Sequence, residues 1–142
     1  MDATLTYRLQ DNILFLKAKH DCTVQEFYEL LKNALNDPRL PRRFGIIIDA
    51  RHSAICPRIA DLKQIHDELK KWYERIARMA VVVQSALHFG FTRQCSVYAE
   101  LEGQEINPFY EIESAISWVN EKLNSDPEHT NAMYIDLEAA NV

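Results

Sequence analysis

The chain has 142 residues, the length of one domain with one core. With 47% apolar and 26% charged residues it lies inside the globular range, which excludes wholesale disorder, collagen-like repeats and a simple coiled coil. A net charge of −5 is the wrong sign for tracking a phosphate backbone, so nucleic acid is excluded as a partner, and three glycines (Gly45, Gly90, Gly103) cannot build a dinucleotide fingerprint or a glycine loop around phosphate.

Residues 4–9 and 13–18 are extended runs split by the polar break Gln10-Asp11-Asn12, which predicts a hairpin. Thr23 and Glu26 stand at capping-box spacing ahead of Phe27, Leu30, Leu31, Ala34 and Leu35, predicting a helix over 24–36 that stops before Asp37-Pro38. The continuous apolar run FGIIID (44–49) predicts a strand covered on both faces. Pro57 suits the first turn of a second helix, and Ile59, Leu62, Ile65, Leu69, Trp72 and Ile76 carry its stripe as far as Ala77. A second buried strand over 78–84 precedes a third helix over 85–101, in which Gly90 is a weak point. Residues 106–110 form a short strand that Pro108 confines to an edge or an end, and 112–123 repeats helical spacing through Ala115, Ile116, Val119 and Leu123.

The order β-β-α-β-α-β-α-β-α predicts an α/β fold with a mixed, mostly parallel five-stranded sheet and four helices, antiparallel only at the hairpin. The domain spans 1–124. The tail 125–142 begins polar and then carries Met133, Tyr134, Ile135 and Leu137, which argues for a docked tail and allows a subunit contact. Three widely separated cysteines (Cys22, Cys56, Cys95) without a C-x-x-C pair argue against a disulfide framework and a structural zinc, and fit a reducing cytoplasm. The first ten residues lack the features of a secretion signal, and the longest apolar run, 79–83, is far too short to span a membrane, so no integral membrane association is expected.

The opening hairpin, the strand closing in IIIDAR (46–51), the ADLKQI helix (60–65), the strand RMAVVV (78–83) and the late FYEIESAISWV (109–119) together resemble the SpoIIAA-like branch of the STAS superfamily. The resemblance covers residues 4–124. It implies the STAS-like fold, which is shared with CRAL-TRIO lipid carriers, and a mostly bacterial, cytoplasmic group of uncharacterised proteins. Antagonists of anti-sigma factors within the superfamily are phosphorylated on a Ser or Thr where the helix after the central strand begins. The matching stretch here, Asp49-Ala50-Arg51-His52-Ser53-Ala54-Ile55-Cys56-Pro57, has no glycine, and its one hydroxyl, Ser53, stands four residues before Pro57. That departure weighs against a phosphorylation switch at Ser53, although Arg51 and Arg58 are cations able to receive a phosphate.

Asp49, Arg51, His52, Ser53, Cys56 and Arg58 gather at the carboxyl end of a parallel strand, where open α/β sheets bind ligands, and form the candidate binding surface. An Asp-His-Ser triad is set aside because neither a nucleophile elbow nor an oxyanion-hole glycine accompanies it. Cys56, near Arg51 and Arg58 at a helix start, is a candidate thiol nucleophile weighed against an inert cysteine. His20, Asp21 and Cys22, or His52, Cys56 and His66, lack metal-ligand spacing, and no cofactor is called for. Trp72, Tyr73, Phe89, Phe91 and Tyr98 fall on neighbouring helices, either as core or as the lining of an apolar cleft. The first expectation is a non-enzymatic module that binds a protein partner or its own copy. The second is a carrier or sensor of a small apolar ligand, and the third is a thiol-dependent enzyme or redox sensor at Cys56.

Overall fold

In the hairpin that opens the sheet, Asp11 and Asn12 both adopt positive φ, 53° and 65°. These two residue types tolerate the left-handed region, and two such residues in succession give the turn whose twist matches the flanking strands. The computed structural model describes residues 5–19, 21–53 and 59–125. Strands β1 (Leu5–Gln10) and β2 (Ile13–Ala18) pair antiparallel, while β3 (Phe44–Asp49), β4 (Ile76–Val82) and β5 (Ile106–Phe109) follow in parallel, in the spatial order β1-β2-β3-β4-β5. Four helices join them: α1 (Val24–Leu35), α2 (Ile59–Lys70), α3 (Ala86–Leu101) and α4 (Ile112–Ser125). The mixed five-stranded sheet with four helices is the architecture the element order predicts.

Right-handed crossovers between strands that neighbour in sequence order carry their helices to one face of the sheet. Leu14, Leu16, Phe44, Ile46 and Met79 meet Phe27, Leu31, Ala34 and Leu35 of α1 on that face, with Leu69 of α2. The alternate residues, Ile13, Ile47, Ala77, Ala80 and Val82, meet Ala115, Val119 and Leu123 of α4 on the other. β3 reads as an unbroken apolar run because both of its faces are covered. No helix among the described residues is long and apolar enough to cross a membrane.

The predicted cap of α1 is present. Glu26 N–H donates to Thr23 Oγ1 at 3.0 Å, and Thr23 N–H donates to Glu26 Oε1 at 2.8 Å. Two other expectations are corrected. The second helix ends at Lys70, seven residues short of Ala77, and β4 begins at Ile76 and ends at Val82 instead of spanning 78–84. Residues 71–75 form a turn in which Trp72 N–H donates to Leu69 O and Arg75 N–H to Trp72 O, both at 2.8 Å. Trp72 and Ile76 continue the helical spacing because the turn delivers both to the core that Leu69 enters. Ser125, assigned to the tail, closes α4, and the proposed docking of the tail falls on 126–142, outside the described residues.

Two arginines tie loops to this frame. Arg75 donates to the carbonyls of Leu40, Pro41 and Arg42, and Arg43 donates to Glu74 O at 2.8 Å, so the basic 39–43 segment is fastened to the turn before β4. Arg78 lies over the Trp118 ring at 4.5 Å and donates to Trp118 O at 2.8 Å and Glu105 Oε2 at 2.9 Å, joining β4, the approach to β5 and α4.

Gly45 marks the closest approach of α4 to the sheet. A Cβ there would overlap Val119 Cγ1, and the β3–β4 register shifts between Phe44 and Ile46. Gly45→Ala is therefore expected to destabilise the fold by about 1–3 kcal/mol. In urea unfolding, Val119→Ala introduced on the Gly45→Ala background should recover part of that loss, leaving a favourable coupling in the double-mutant cycle. A cycle that closes additively would refute the contact.

Candidate functional site

At the carboxyl end of β3, Asp49 is 8% exposed, and its carboxylate accepts from Arg51 Nε and Nη2, each at 2.9 Å, and from Arg51 N–H at 3.2 Å. Burial pushes the Asp49 pKa up, but the hydrogen bonds and charge of Arg51 outweigh it and hold the carboxyl below its usual range. Arg51 is thereby a fixed partner of the strand end rather than a free cation. Arg51 and His52 border a shallow recess of ≈ 360 Å³ with Val83, Gln84 and Tyr110. Ser53, whose N–H donates to Ala50 O at 3.1 Å, lines a different and larger space. The surface grouped from sequence is thus divided, with Arg51 and His52 on one side and Ser53 on the other. Cys56 and Arg58 lie outside the described residues.

The larger space is a cavity of ≈ 690 Å³ on the α1–α3 face of the sheet. Its floor is Ile48 of β3, Met79 and Val81 of β4 and Ile106 of β5, and Phe27 and Leu31 of α1 form one wall. Leu62, Ile65 and Leu69 of α2 and Phe91, Cys95 and Tyr98 of α3 form the others. Ile48 and Val81 are only half-buried although they sit on inner strands, because α2 and α3 do not close over them. Each such side chain forgoes part of the ~1.5–3 kcal/mol that full burial contributes.

Helix α3 explains the opening. Toward β5 it buries small residues, Thr92, Ser96 and Ala99, and Ser96 Oγ donates to Asn107 Oδ1 at 3.2 Å. Its large apolar residues line the cavity instead, and Leu87 (71% exposed), Tyr98 (70%) and Leu101 (80%) stand at its margin in water. An ordinary amphipathic helix would turn that stripe inward. Burial pushes up the thiol pKa of Cys95 in the cavity wall and that of Cys22 in the core.

The amino end of the cavity is closed by a polar link between α2 and α3. Glu102 accepts from His66 Nε2 at 2.8 Å and lies 3.6 Å from Lys70 Nζ, and His66 Nδ1 is 3.0 Å from the Tyr73 hydroxyl. A carboxylate only accepts, so Nε2 carries the hydrogen in the bond to Glu102, and Nδ1 faces the Tyr73 hydroxyl. Burial, followed by the nearby Glu102 charge, pushes the Tyr73 pKa up to about 12, which keeps that hydroxyl protonated.

Of the aromatic residues expected to line a cleft, Phe91 and Tyr98 do so. Trp72 packs on the core below α2 with Arg75 over its ring at 5.2 Å, and Tyr73 reaches the cavity only through His66. Phe89 leaves on the opposite side of α3 and stacks on Tyr110, 4.7 Å between centroids at 12°. Leu62, Ile65, His66, Leu87 and Cys95 were missed. Leu62 and Ile65 stood in the stripe read as core, and the signal for the cavity was on α3, where Leu87, Phe91, Tyr98 and Leu101 share one face while small residues occupy the face beside it.

Because the Asp49 pKa is lowered in the fold, its pairing stabilises the protein above the ordinary carboxyl pKa of about 3.9, and that contribution fades as pH falls through the lower folded value. Asp49→Asn is expected to cost about 1–3 kcal/mol at pH 7 and to flatten the loss of stability between pH 4 and pH 2, measured by urea unfolding across that range. An unchanged acid limb would show that the pair contributes nothing.

By sequence, the chain matches no family profile and no curated protein. In structure it is similar to an uncharacterised protein of the DUF3478 family with a SpoIIAA-like fold from Shewanella loihica PV-4, at a TM-score of 0.56 and 18% identity over 81% of this chain and 91% of that one. The fold is SpoIIAA-like.

Proposed function

We propose that this protein is a non-enzymatic binding module whose ligand is a small apolar molecule held between α2, α3 and the sheet. The observation that carries this reading is the ≈ 690 Å³ cavity with an almost wholly apolar lining, floored by half-buried Ile48 and Val81. Its size falls within the ~300–1,000 Å³ typical of ligand pockets. An apolar occupant removes from water both that floor and the Leu87–Phe91–Tyr98 stripe, which the fold alone leaves exposed. Action in a reducing cytoplasm belongs to the same reading and is supported by free thiols at Cys22 and Cys95.

A second reading places a protein partner, or another copy of this chain, over α3. The exposure of Leu87, Tyr98 and Leu101 at one margin favours it. The two readings differ in concentration dependence: a self-contact raises the native mass with protein concentration, whereas a small ligand adds a fixed increment.

Titration with N-phenylnaphthylamine, a neutral apolar fluorophore, is expected to show saturable one-to-one binding, with native mass spectrometry confirming the increment. Val81→Phe should fill the floor, weaken the fluorophore by at least about tenfold and raise stability by about 0.5–2 kcal/mol. A linear, unsaturable signal in the wild type, together with no gain in stability in Val81→Phe, would remove the ligand reading.

A further inference from the structure

Resting on that reading, we infer that the cavity selects a single-chain amphiphile with an anionic head, a long-chain carboxylate, bound with its head at the carboxyl rim near Lys63 and His88 and its tail running toward Met79 and Ile106. The inference comes from how the few polar side chains of an apolar cavity are distributed along it.

Strands β2 to β5 are parallel, so α2 and α3 both start at the carboxyl edge of the sheet and run to its amino edge. Lys63 lies one turn into α2 and His88 in the first turn of α3, and both line the cavity at the carboxyl end. His66 and Glu102 line it at the amino end. The two ends differ in what their charges are doing. Glu102, the one carboxylate among the described lining residues, is engaged by His66 and Lys70, so the amino end is already neutralised. At the carboxyl end, the Lys63 ammonium and the His88 ring have no side-chain partner among the described residues, and Asp49, the carboxylate at the end of β3, is held by Arg51.

A cation and a ring N–H donor at one end, with no unengaged carboxylate in the lining, complement an anion and repel an ammonium head. The N-terminal ends of α2 and α3 lie at the same rim and add partial positive charge of the same sign. Lys63 can rest its methylene stem on the apolar wall beside Leu62 and keep its ammonium in water, so a carboxylate bound there need not be fully desolvated. Beyond that rim the floor from Val81 to Met79 and Ile106 is apolar, and the polar side chains of the α3 wall beside it are uncharged, Thr92, whose hydroxyl donates to His88 O, and Gln94, which fits an alkyl chain and not a second charged head.

The test is displacement of N-phenylnaphthylamine from the full chain by three twelve-carbon ligands that differ only in the head: laurate, methyl laurate and dodecylamine. Laurate should displace at least about fivefold more tightly than either of the others, the size expected for one partly exposed ion pair. Lys63→Glu should abolish that preference, leave methyl laurate unchanged and improve dodecylamine. Lys63→Gln, which adds no repulsion, should lower laurate alone. Equal displacement by all three heads, or a preference for the amine, would overturn the carboxylate assignment and leave the cavity reading standing. Failure of the fluorophore itself to bind would overturn both.

Discussion

The structure turns on a mismatch of widths. Adjacent strands lie about 4.8 Å apart, whereas packed helices need 8–10 Å between axes. Strands β2 to β5 follow one another in chain order, so their three crossover helices are all sent to one face. Three such helices need about 16–20 Å between outer axes, and the four strands beneath them supply about 14 Å. The layer therefore spreads. α1 is displaced outward onto β1 and β2, α3 onto β5, and α2 touches α1 instead of settling into the gap above β3 and β4. The space above Ile48 and Val81 is the result. On the opposite face α4 is the one helix among the described residues, and it approaches closely enough to require glycine at position 45.

That mismatch also explains what the sequence revealed and what it hid. Phe44–Asp49 was legible to the residue because burial on both faces leaves a continuous apolar run that stops at a carboxylate. The capping box at Thr23 and Glu26 fixed the start of α1 for an equally local reason. The end of α2 was not legible, because Leu69, Trp72 and Ile76 enter one core from a helix, a turn and a strand in succession, and periodicity records the shared destination but not the change of backbone. The cavity was harder still. Leu62 and Leu69 look alike in sequence and both line the cavity, yet Leu69 is buried in the core while Leu62 is only half-buried. Which of the two a helix buries depends on how far it stands from the sheet, and that is set by the widths of its neighbours.

At the rim, sequence grouped residues by position and the structure sorts them by bonding. Asp49 and Arg51 satisfy each other, so the most conspicuous charges of the loop serve the strand end. The chemistry left over belongs to side chains that no motif picks out, Lys63 and His88 on two different helices. Residues that line one cavity from different elements are ordinary ones in sequence, and only the packing makes them a set.

The attachment of α2 then decides how the cavity communicates with solvent. Its second half is held by Leu69 and Ile65 in the core and by the His66–Glu102 link to α3. In its first half, Leu62 and Lys63 face the cavity and Asp61 is only half-buried. An element anchored at one end yields at the other, where fewer apolar contacts must be broken. Among the described side chains of α2, none in residues 60–64 is buried, and that half of the helix stands at the carboxyl rim with the exposed Leu87. Any molecule that bridges α2 and α3 at that end stabilises the closed arrangement by its own binding free energy, since it binds the folded layer and not the unfolded chain. The cavity, its carboxyl rim and the unburied half of α2 are in this way set at the same edge of the sheet by one geometric cause, the helix that three crossovers leave without a seat.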